Sequence, residues 1–112
     1  MSEDLDVEDL KLVTLARGAR SRVGAVAGAA VRDETGRTYS GADVSLPSLR
    51  ISALALAVAQ AVAAGARGAE AAAVVGADPS EEDRAALRDL AGPGVAVIVC
   101  GSDGAVRTRL AT

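Results

Sequence analysis

Residues able to do chemistry are few in this sequence, and only one group of them is closely spaced. Asp78, Glu81, Glu82 and Asp83 form a short run of carboxylates, a set that could bind Mg²⁺ or Ca²⁺. The same set is more typical of a solvated first turn of a helix. Cys100 is the only cysteine and there is no histidine. An internal disulfide, a two-cysteine zinc site and a histidine general base are therefore excluded.

Cys100, Arg50 and Arg84 are the remaining residues that could react or bind a ligand. Cys100 ends an apolar stretch, which is more typical of a small buried side chain than of a reactive thiol. Arg84 follows the acidic run, and we expect it to pair with Glu81, to meet a neighbouring chain or to be solvated. Arg50 could meet an anion, but a lone surface arginine is the simpler interpretation.

The charge of the chain limits its partners. The formal net charge is −3 and the isoelectric point is about 4.8, which disfavours binding to nucleic acid. The acidic start of the sequence, from Met1 to Asp6, does not resemble a secretory signal. The longest apolar run, from Ile51 to Ala64, is shorter than the roughly 20 residues that a bilayer requires. We therefore expect a cytoplasmic protein that binds neither nucleic acid nor membranes.

Length and composition indicate a single tightly packed domain. The 112 residues suit one domain spanning residues 1–112. The sequence contains 26 alanines, and Tyr39 is its only aromatic residue, so the core must consist of small aliphatic side chains with backbones close together. This alanine-rich composition is also typical of a GC-rich bacterial genome, which by itself indicates no function.

Hydrophobic periodicity and turn residues predict eight elements that must position these groups. They are a helix over residues 3–20, strands over 25–31 and 37–41, a helix from Ser48 to Gly65, a strand over 71–75, a helix from Asp78 to about Leu90, and strands over 95–100 and 105–110. The order α-β-β-α-β-α-β-β predicts an α/β sandwich, in two or three layers, with helices packed on a mixed five-stranded sheet.

Turn and cap residues predict where these elements begin. Asp33-Glu34-Thr35-Gly36 is typical of a turn and predicts a β-hairpin. Ser2 precedes the first helix, and Ser48, after a proline, is the predicted N-cap of the second. For the third helix we predict Asp78 as the N-cap and Glu81 as the residue that closes a capping box.

Two short motifs with glycine flank the predicted hairpin. Gly28-Ala29-Ala30-Val31 lies in the first strand, and Gly41-Ala42-Asp43-Val44 follows the hairpin. In sequence and spacing they resemble the small cytidine deaminase family. The resemblance extends over about residues 10–110, with short deletions near Ser48 and before Pro79. It implies the cytidine deaminase-like fold and, for an intact member, hydrolytic deamination at a zinc ion held between two helix N-termini.

The resemblance also implies that this zinc site is degenerate. Ser52 stands where the family has a cysteine or histidine ligand, while Ser80 and Asp83 stand where it has two cysteines. Leu54 replaces the glutamate that transfers protons. Hydroxyls bind zinc poorly and leucine has no ionisable group, so we expect neither zinc nor a catalytic residue. The carboxylates of the third helix are then expected to stabilise its N-terminus in place of metal-bound thiolates.

The substrate-binding positions implied by the resemblance are also changed. Ala25 stands where the family has a phenylalanine that packs against the base, and a methyl group cannot replace this stacking. Asp43 and Ser45 stand where asparagine and glutamate hold the ribose, and only Asp43 is similarly polar. We expect none of the three to bind substrate.

The surface of the second predicted helix indicates that the chain self-associates. The helix from Ile51 to Ala64 is apolar on nearly all sides, so one sheet cannot cover it, and the resemblance implies subunit contacts around this helix. We expect a homodimer or homotetramer, with an unidentified protein partner as a further candidate.

Three functional hypotheses follow from these observations. The first is a catalytically inactive, zinc-free homo-oligomer that acts as a structural or protein-interaction module. The second is a functional cytidine or nucleoside deaminase, a zinc hydrolase. The third is a nucleoside or nucleotide sensor that uses the vacated pocket.

Overall fold

The computed structural model describes residues 5–112, which form three helices and seven strands. These are α1 (Val7–Val23), β1 (Gly28–Asp33), β2 (Thr38–Ala42), β3 (Val44–Leu46), β4 (Leu49–Ile51), α2 (Ala53–Ala63), β5 (Ala69–Val75), α3 (Glu81–Ala91), β6 (Ala96–Cys100) and β7 (Val106–Ala111). Five strands form one sheet in the order β2-β1-β5-β6-β7, and β3 and β4 form a separate hairpin. The predicted α/β fold with a mixed five-stranded sheet is confirmed.

Helices cover both faces of the central strands of the sheet, so the fold has three layers. β5 and β6 are parallel and joined through α3, whereas β1 is antiparallel to β2 and β5, and β7 is antiparallel to β6. α1 packs on one face through Leu12, Val13 and Ala16. α2 and α3 cover the other face with a second apolar cluster. Burial on both faces explains why the parallel strands are almost wholly apolar.

Glycine at two positions allows the helices to approach the sheet closely. A Cβ added at Gly28 of β1 would lie 2.1 Å from the carbonyl oxygen of Ala16 in α1. On the other face, a Cβ at Gly41 of β2 would lie 3.0 Å from the side chain of Leu56 in α2. The close backbone packing expected from the alanine-rich composition therefore occurs between α1 and β1, and on the other face glycine makes room for the Leu56 side chain.

The first two helices begin later than predicted. α1 begins at Val7 with Asp6 as its N-cap, and the predicted start at Ser2 lies outside the described residues. The prediction of Ser48 as an N-cap is wrong, because Ser48 lies in the turn of the β3–β4 hairpin and Ser52 caps α2. Both serines have the chemistry of a cap, but pairing of Val44 with Ile51 keeps the chain extended up to Ser52.

The predicted start of the third helix is wrong by two residues. Ser80, not Asp78, is the N-cap of α3, and Asp83 rather than Glu81 closes the capping box with it. The Asp78 side chain instead forms an ion pair with Arg107 of β7. The helix begins where Ser80 and Asp83 bond to each other, and Asp78 lies before that point.

The predicted turn between β1 and β2 is confirmed, and its aspartate is buried. The Asp33 carboxylate accepts hydrogen bonds from the Thr35 amide at 2.8 Å, the Thr35 hydroxyl at 2.7 Å, the Arg37 amide at 3.0 Å and the Tyr39 hydroxyl at 2.9 Å. Burial alone would raise the pKa of Asp33, but these donors outweigh it and lower the pKa to about 2. The only aromatic side chain therefore serves this turn.

The expected burial of Cys100 is confirmed, and the helices can be compared with the thickness of a membrane. Cys100 is buried, and desolvation raises the pKa of its thiol, as expected of a structural rather than a reactive cysteine. Within residues 5–112, no helix is both long and apolar enough to cross a membrane.

The contact between Gly28 and α1 can be tested by substitution. Gly28→Ala should destabilise the fold by about 3 kcal/mol, because the added methyl group would meet the backbone of α1, which cannot move aside cheaply. The control is Gly68→Ala, whose Cβ would meet only the Glu34 side chain at 3.8 Å. Urea unfolding measures both variants, and equal stabilities would contradict the close approach of α1 to the sheet.

Candidate functional site

The N-terminal ends of α2 and α3 meet at a hydrogen-bonded group of three side chains. The Ser52 hydroxyl donates to Oδ1 of Asp83 at 2.6 Å and accepts from the Ala55 amide at 3.2 Å. Oδ2 of Asp83 accepts from the Ser80 amide at 3.3 Å, and the Ser80 hydroxyl accepts from the Asp83 amide at 3.0 Å. We call Ser52, Ser80 and Asp83 the helix-end network, since together they cap both helices and join them.

Asp43 attaches this network to the sheet. Its Oδ1 accepts from the Ala53 amide at 2.9 Å, in the first turn of α2, and its Oδ2 accepts from the Ala27 amide at 3.0 Å, just before β1. The Asp43 amide in turn donates to the Ala27 carbonyl at 3.2 Å. Both carboxylate oxygens are thus occupied by backbone donors, and the start of α2 is fixed against the start of β1.

The charges near the network suit two helix N-termini. The dipoles of α2 and α3 place partial positive charge at these ends. The first turn of α2 contains no acidic residue, whereas that of α3 contains three. Through its bond to Ser52, Asp83 brings negative charge to the end of α2 as well as to its own helix. Arg84 pairs with Glu81 at 2.8 Å, which confirms one of the expected partners of that arginine.

The other predicted site residues are not joined to the network by any contact described for residues 5–112. Leu54 is only 1% exposed and lies in the apolar cluster between the sheet, α2 and α3. Ala25 is half-buried in the loop before β1, where its amide donates to the Arg20 carbonyl. Ser45 is exposed on β3, opposite Arg50. The structure therefore brings Ser52, Ser80, Asp83 and Asp43 together.

The donor atoms of the network do not fit a zinc ion. Protein zinc sites use thiolate, imidazole or carboxylate ligands, and among the three members only Asp83 carries a negative charge. Its two oxygens already accept the Ser52 hydroxyl and the Ser80 amide. Across the described part of the chain, no three His, Cys, Asp or Glu residues are grouped so that they could hold a metal ion.

Only part of the role of Asp83 has a signal in the sequence. The spacing of Ser80 and Asp83 follows the capping-box pattern, so their mutual hydrogen bonds could have been predicted. The bond from Ser52 to Asp83 spans a separation of 31 residues and has no local signal. Only the packing of α2 beside α3 brings these two side chains together.

Comparisons with known proteins give one consistent result. A family model described as cytidine deaminase-like matches residues 5–104. The crystal structure of a cytidine deaminase from Burkholderia pseudomallei is 28% identical and superposes with a TM-score of 0.78, covering 91% of this chain and 89% of that one. No curated protein sequence matches the chain.

Two further solved structures share the fold at lower identity. Cytidine deaminase from Mycobacterium leprae is 20% identical with a TM-score of 0.71, and 94% of each chain is covered. Cytidine deaminase from Mycobacterium tuberculosis is 24% identical with a TM-score of 0.69, and 86% of this chain and 85% of that one are covered.

The bond that joins the two helix ends can be measured with a double-mutant cycle. Ser52→Ala and Asp83→Ala should each lower the free energy of unfolding by about 1–2 kcal/mol, since each removes a cap and a partner. The double variant should lose about 1–2 kcal/mol less than the sum of the two losses, because the bond to a charged group can be lost only once.

The matched control cycle pairs Ser52→Ala with Glu82→Ala. Glu82 lies in the same first turn of α3 and is exposed, so these two effects should add to within about 0.5 kcal/mol. Equal coupling in the two cycles would contradict a specific bond between Ser52 and Asp83.

Proposed function

Because the chain belongs to the cytidine deaminase-like family, we propose that it is a catalytically inactive, zinc-free member that acts as a homo-oligomeric structural or protein-interaction module. The observation that carries the proposal is the helix-end network. By the family resemblance, its three side chains stand at the positions of the metal ligands. Their hydrogen-bonding groups already serve one another and the two helices, so they stabilise these helix ends without a metal.

The position of the proton-transferring glutamate supports the same proposal. Leu54 stands there and is buried among apolar side chains of the core. It has no group that could accept a proton from water or donate one to a leaving ammonia. Loss of general acid–base catalysis alone typically costs about 10²–10⁴-fold in rate, before any loss of metal chemistry.

The contacts of the residues at the expected substrate-binding positions also support a protein without deaminase activity. Asp43 uses both carboxylate oxygens to hold the backbones of α2 and β1, so it serves the fold rather than a ribose. Ala25 offers no ring for stacking, and the only aromatic side chain, Tyr39, is bonded to Asp33. The proposal retains the cytoplasmic location and the absence of a nucleic-acid partner expected from the sequence.

The self-association part of the proposal rests on the outer surface of α2. Ala53, Leu54, Ala57, Val58 and Ala61 face the core. On the opposite side, Ala59, Val62 and Ala63 are exposed, and Val62 is 53% exposed. The helix from Ile51 to Ala64 expected from the sequence is shorter in the structure, since Ile51 belongs to β4. Its small apolar outer surface suits close packing against a second copy.

Zinc content and cytidine turnover test the inactivity of the protein. Untagged protein should contain less than about 0.1 zinc per chain, because hydroxyls and one occupied carboxylate cannot replace thiolates. It should release no ammonia from cytidine, in contrast to a working deaminase. Stoichiometric zinc together with turnover would overturn the proposal in favour of a functional zinc hydrolase.

A gain-of-ligand variant serves as the matched control for this measurement. The triple variant Ser52→Cys, Ser80→Cys, Asp83→Cys places thiols at the three network positions and should bind about one zinc per chain. It should remain inactive because Leu54 is unchanged. Zinc in the variant but not in the parent chain would show that the parent lacks zinc because of its donor atoms, and that the three positions are placed well enough to bind the ion.

The α2 surface is tested by Ala59→Glu. Alanine and glutamate are both good helix formers, so α2 should keep its helicity while its outer surface gains a charge. The expected result in sedimentation velocity is a smaller assembly, because the contact through α2 is lost, with an unchanged circular dichroism spectrum. The control Gly68→Ala should leave the mass unaltered. A parent chain that is monomeric at all concentrations would contradict the proposed self-association.

A further inference from the structure

α1 has a second apolar surface that faces away from the sheet. Its inward side chains, Leu12, Val13, Ala16 and Ala19, are buried. On the opposite side, Val7, Leu10 and Leu15 are 66%, 51% and 38% exposed. Together with Lys11 and Thr14 they line an open groove of about 380 Å³. We call Val7, Leu10, Thr14, Leu15 and Gly18 the outer α1 face.

Gly18 has no explanation within the described part of the chain. It lies in the interior of α1, where glycine costs about 1 kcal/mol relative to alanine. Its φ is not positive, and a Cβ built on it would meet no atom within 4 Å. Neither backbone conformation nor packing inside residues 5–112 therefore requires glycine at this position. A backbone that approaches from outside would require it.

The charges of α1 are unevenly distributed along its length. Asp6, Glu8 and Asp9 lie at its N-terminal end, where Lys11 pairs with Glu8 at 3.2 Å. The charged residues of its C-terminal half are all basic: Arg17, Arg20 and Arg22. Glu8 and Arg22 are exposed at opposite ends of the outer α1 face. Such a helix is complementary to an antiparallel copy of itself, because each acidic end then meets a basic end.

We propose that the outer α1 face binds the same face of a second copy of this chain, with the two α1 helices antiparallel across a two-fold axis near Thr14. A contact of this kind is self-complementary, as a two-fold interface must be. Leu10 of one copy then packs against the partner's Gly18, where the missing side chain lets the helices come close. Arg22 lies within one turn of the partner's Glu8.

Charge and topology favour a second copy of the chain over a nucleic acid or a membrane as the partner of this face. A nucleic acid or an anionic membrane surface would meet the acidic end of α1 and be repelled there, whereas a second α1 attracts at both ends. α1 and α2 lie on opposite faces of the sheet. The α1 contact is therefore separate from the proposed α2 contact, and each can form without the other.

Charge reversal tests the antiparallel arrangement. Glu8→Arg and Arg22→Glu should each weaken self-association through α1 by about tenfold or more at low salt, since each places like charges at both ends of the interface. An equimolar mixture of the two variants should regain the association, because each chain then offers the charge that the other needs. The readout is sedimentation velocity in the Ala59→Glu background, which removes any α2 contact.

Glu82→Arg is the matched control for these variants. It reverses a charge in the first turn of another helix, α3, and should not weaken the α1 contact. Thermal melts followed by circular dichroism should show that all variants remain folded. Failure of the mixture to associate better than the single variants would overturn the proposal.

Disulfide trapping reports the same contact directly. Thr14→Cys should form a covalent dimer under mild oxidation, because the two-fold axis places both thiols together. Val7→Cys should not do so, since the two copies of this residue lie roughly 20 Å apart along antiparallel helices. Ser102→Cys, in an exposed turn, measures random collision, and Cys100 is buried.

The outcomes separate this proposal from the proposed function. Trapping by Thr14→Cys in both the parent and the Ala59→Glu backgrounds would support the α1 contact whatever the fate of the α2 contact. Trapping no faster than with Ser102→Cys, or faster trapping by Val7→Cys, would overturn it. Zinc content and the response of the parent oligomer to Ala59→Glu bear only on the proposed function.

Discussion

Because α2 and α3 pack side by side on the sheet, their N-terminal ends must be satisfied together, and the hydrogen bond from Ser52 to Asp83 does this. It joins two helix N-termini, whose dipoles both place partial positive charge in the same region. Without an acceptor between them, these ends would repel each other and leave backbone amides without partners. Asp83 supplies the negative charge for both ends, and Ser52 and Ser80 supply the caps. A single carboxylate thus links the ends of two helices that the apolar cluster holds on this face of the sheet.

Two more aspartates, Asp33 and Asp43, likewise each use one carboxylate to accept more than one hydrogen bond. Asp43 uses its two oxygens to connect the start of α2 to the start of β1, and Asp33 organises the turn that closes the first hairpin. In each case the carboxylate accepts from donors that would otherwise be unsatisfied in a half-buried region. Both carboxylates bond to groups of the fold, which supports the proposal that the chain is an inactive, zinc-free member of its family.

Much of the fold could be predicted from the sequence, because its signals are local. The apolar runs of β5 and β6, the turn from Asp33 to Gly36 and the alternation of helices and strands all lie in short segments of chain. The helix starts were harder to predict. Ser48 and Ser52 are equally good caps by residue type, and Asp78 and Ser80 differ little. Strand pairing in the β3–β4 hairpin keeps Ser48 out of α2, and the reciprocal hydrogen bonds of Ser80 and Asp83 set the start of α3.

For the site, the sequence by itself determined which chemical groups are present. The chain has no imidazole and one thiol, and serine, leucine, serine and aspartate stand at positions 52, 54, 80 and 83. It also determined that any close packing would have to use alanine and glycine. Tertiary structure alone decided what these groups do, because Ser52 and Asp83 meet only after α2 and α3 pack side by side on the sheet. Hydrogen bonds act over about 3 Å, and no local pattern can report a contact between residues so far apart in the chain. Tertiary packing also defines the outer faces of α1 and α2, because contact with the sheet buries one side of each helix and leaves the other side exposed.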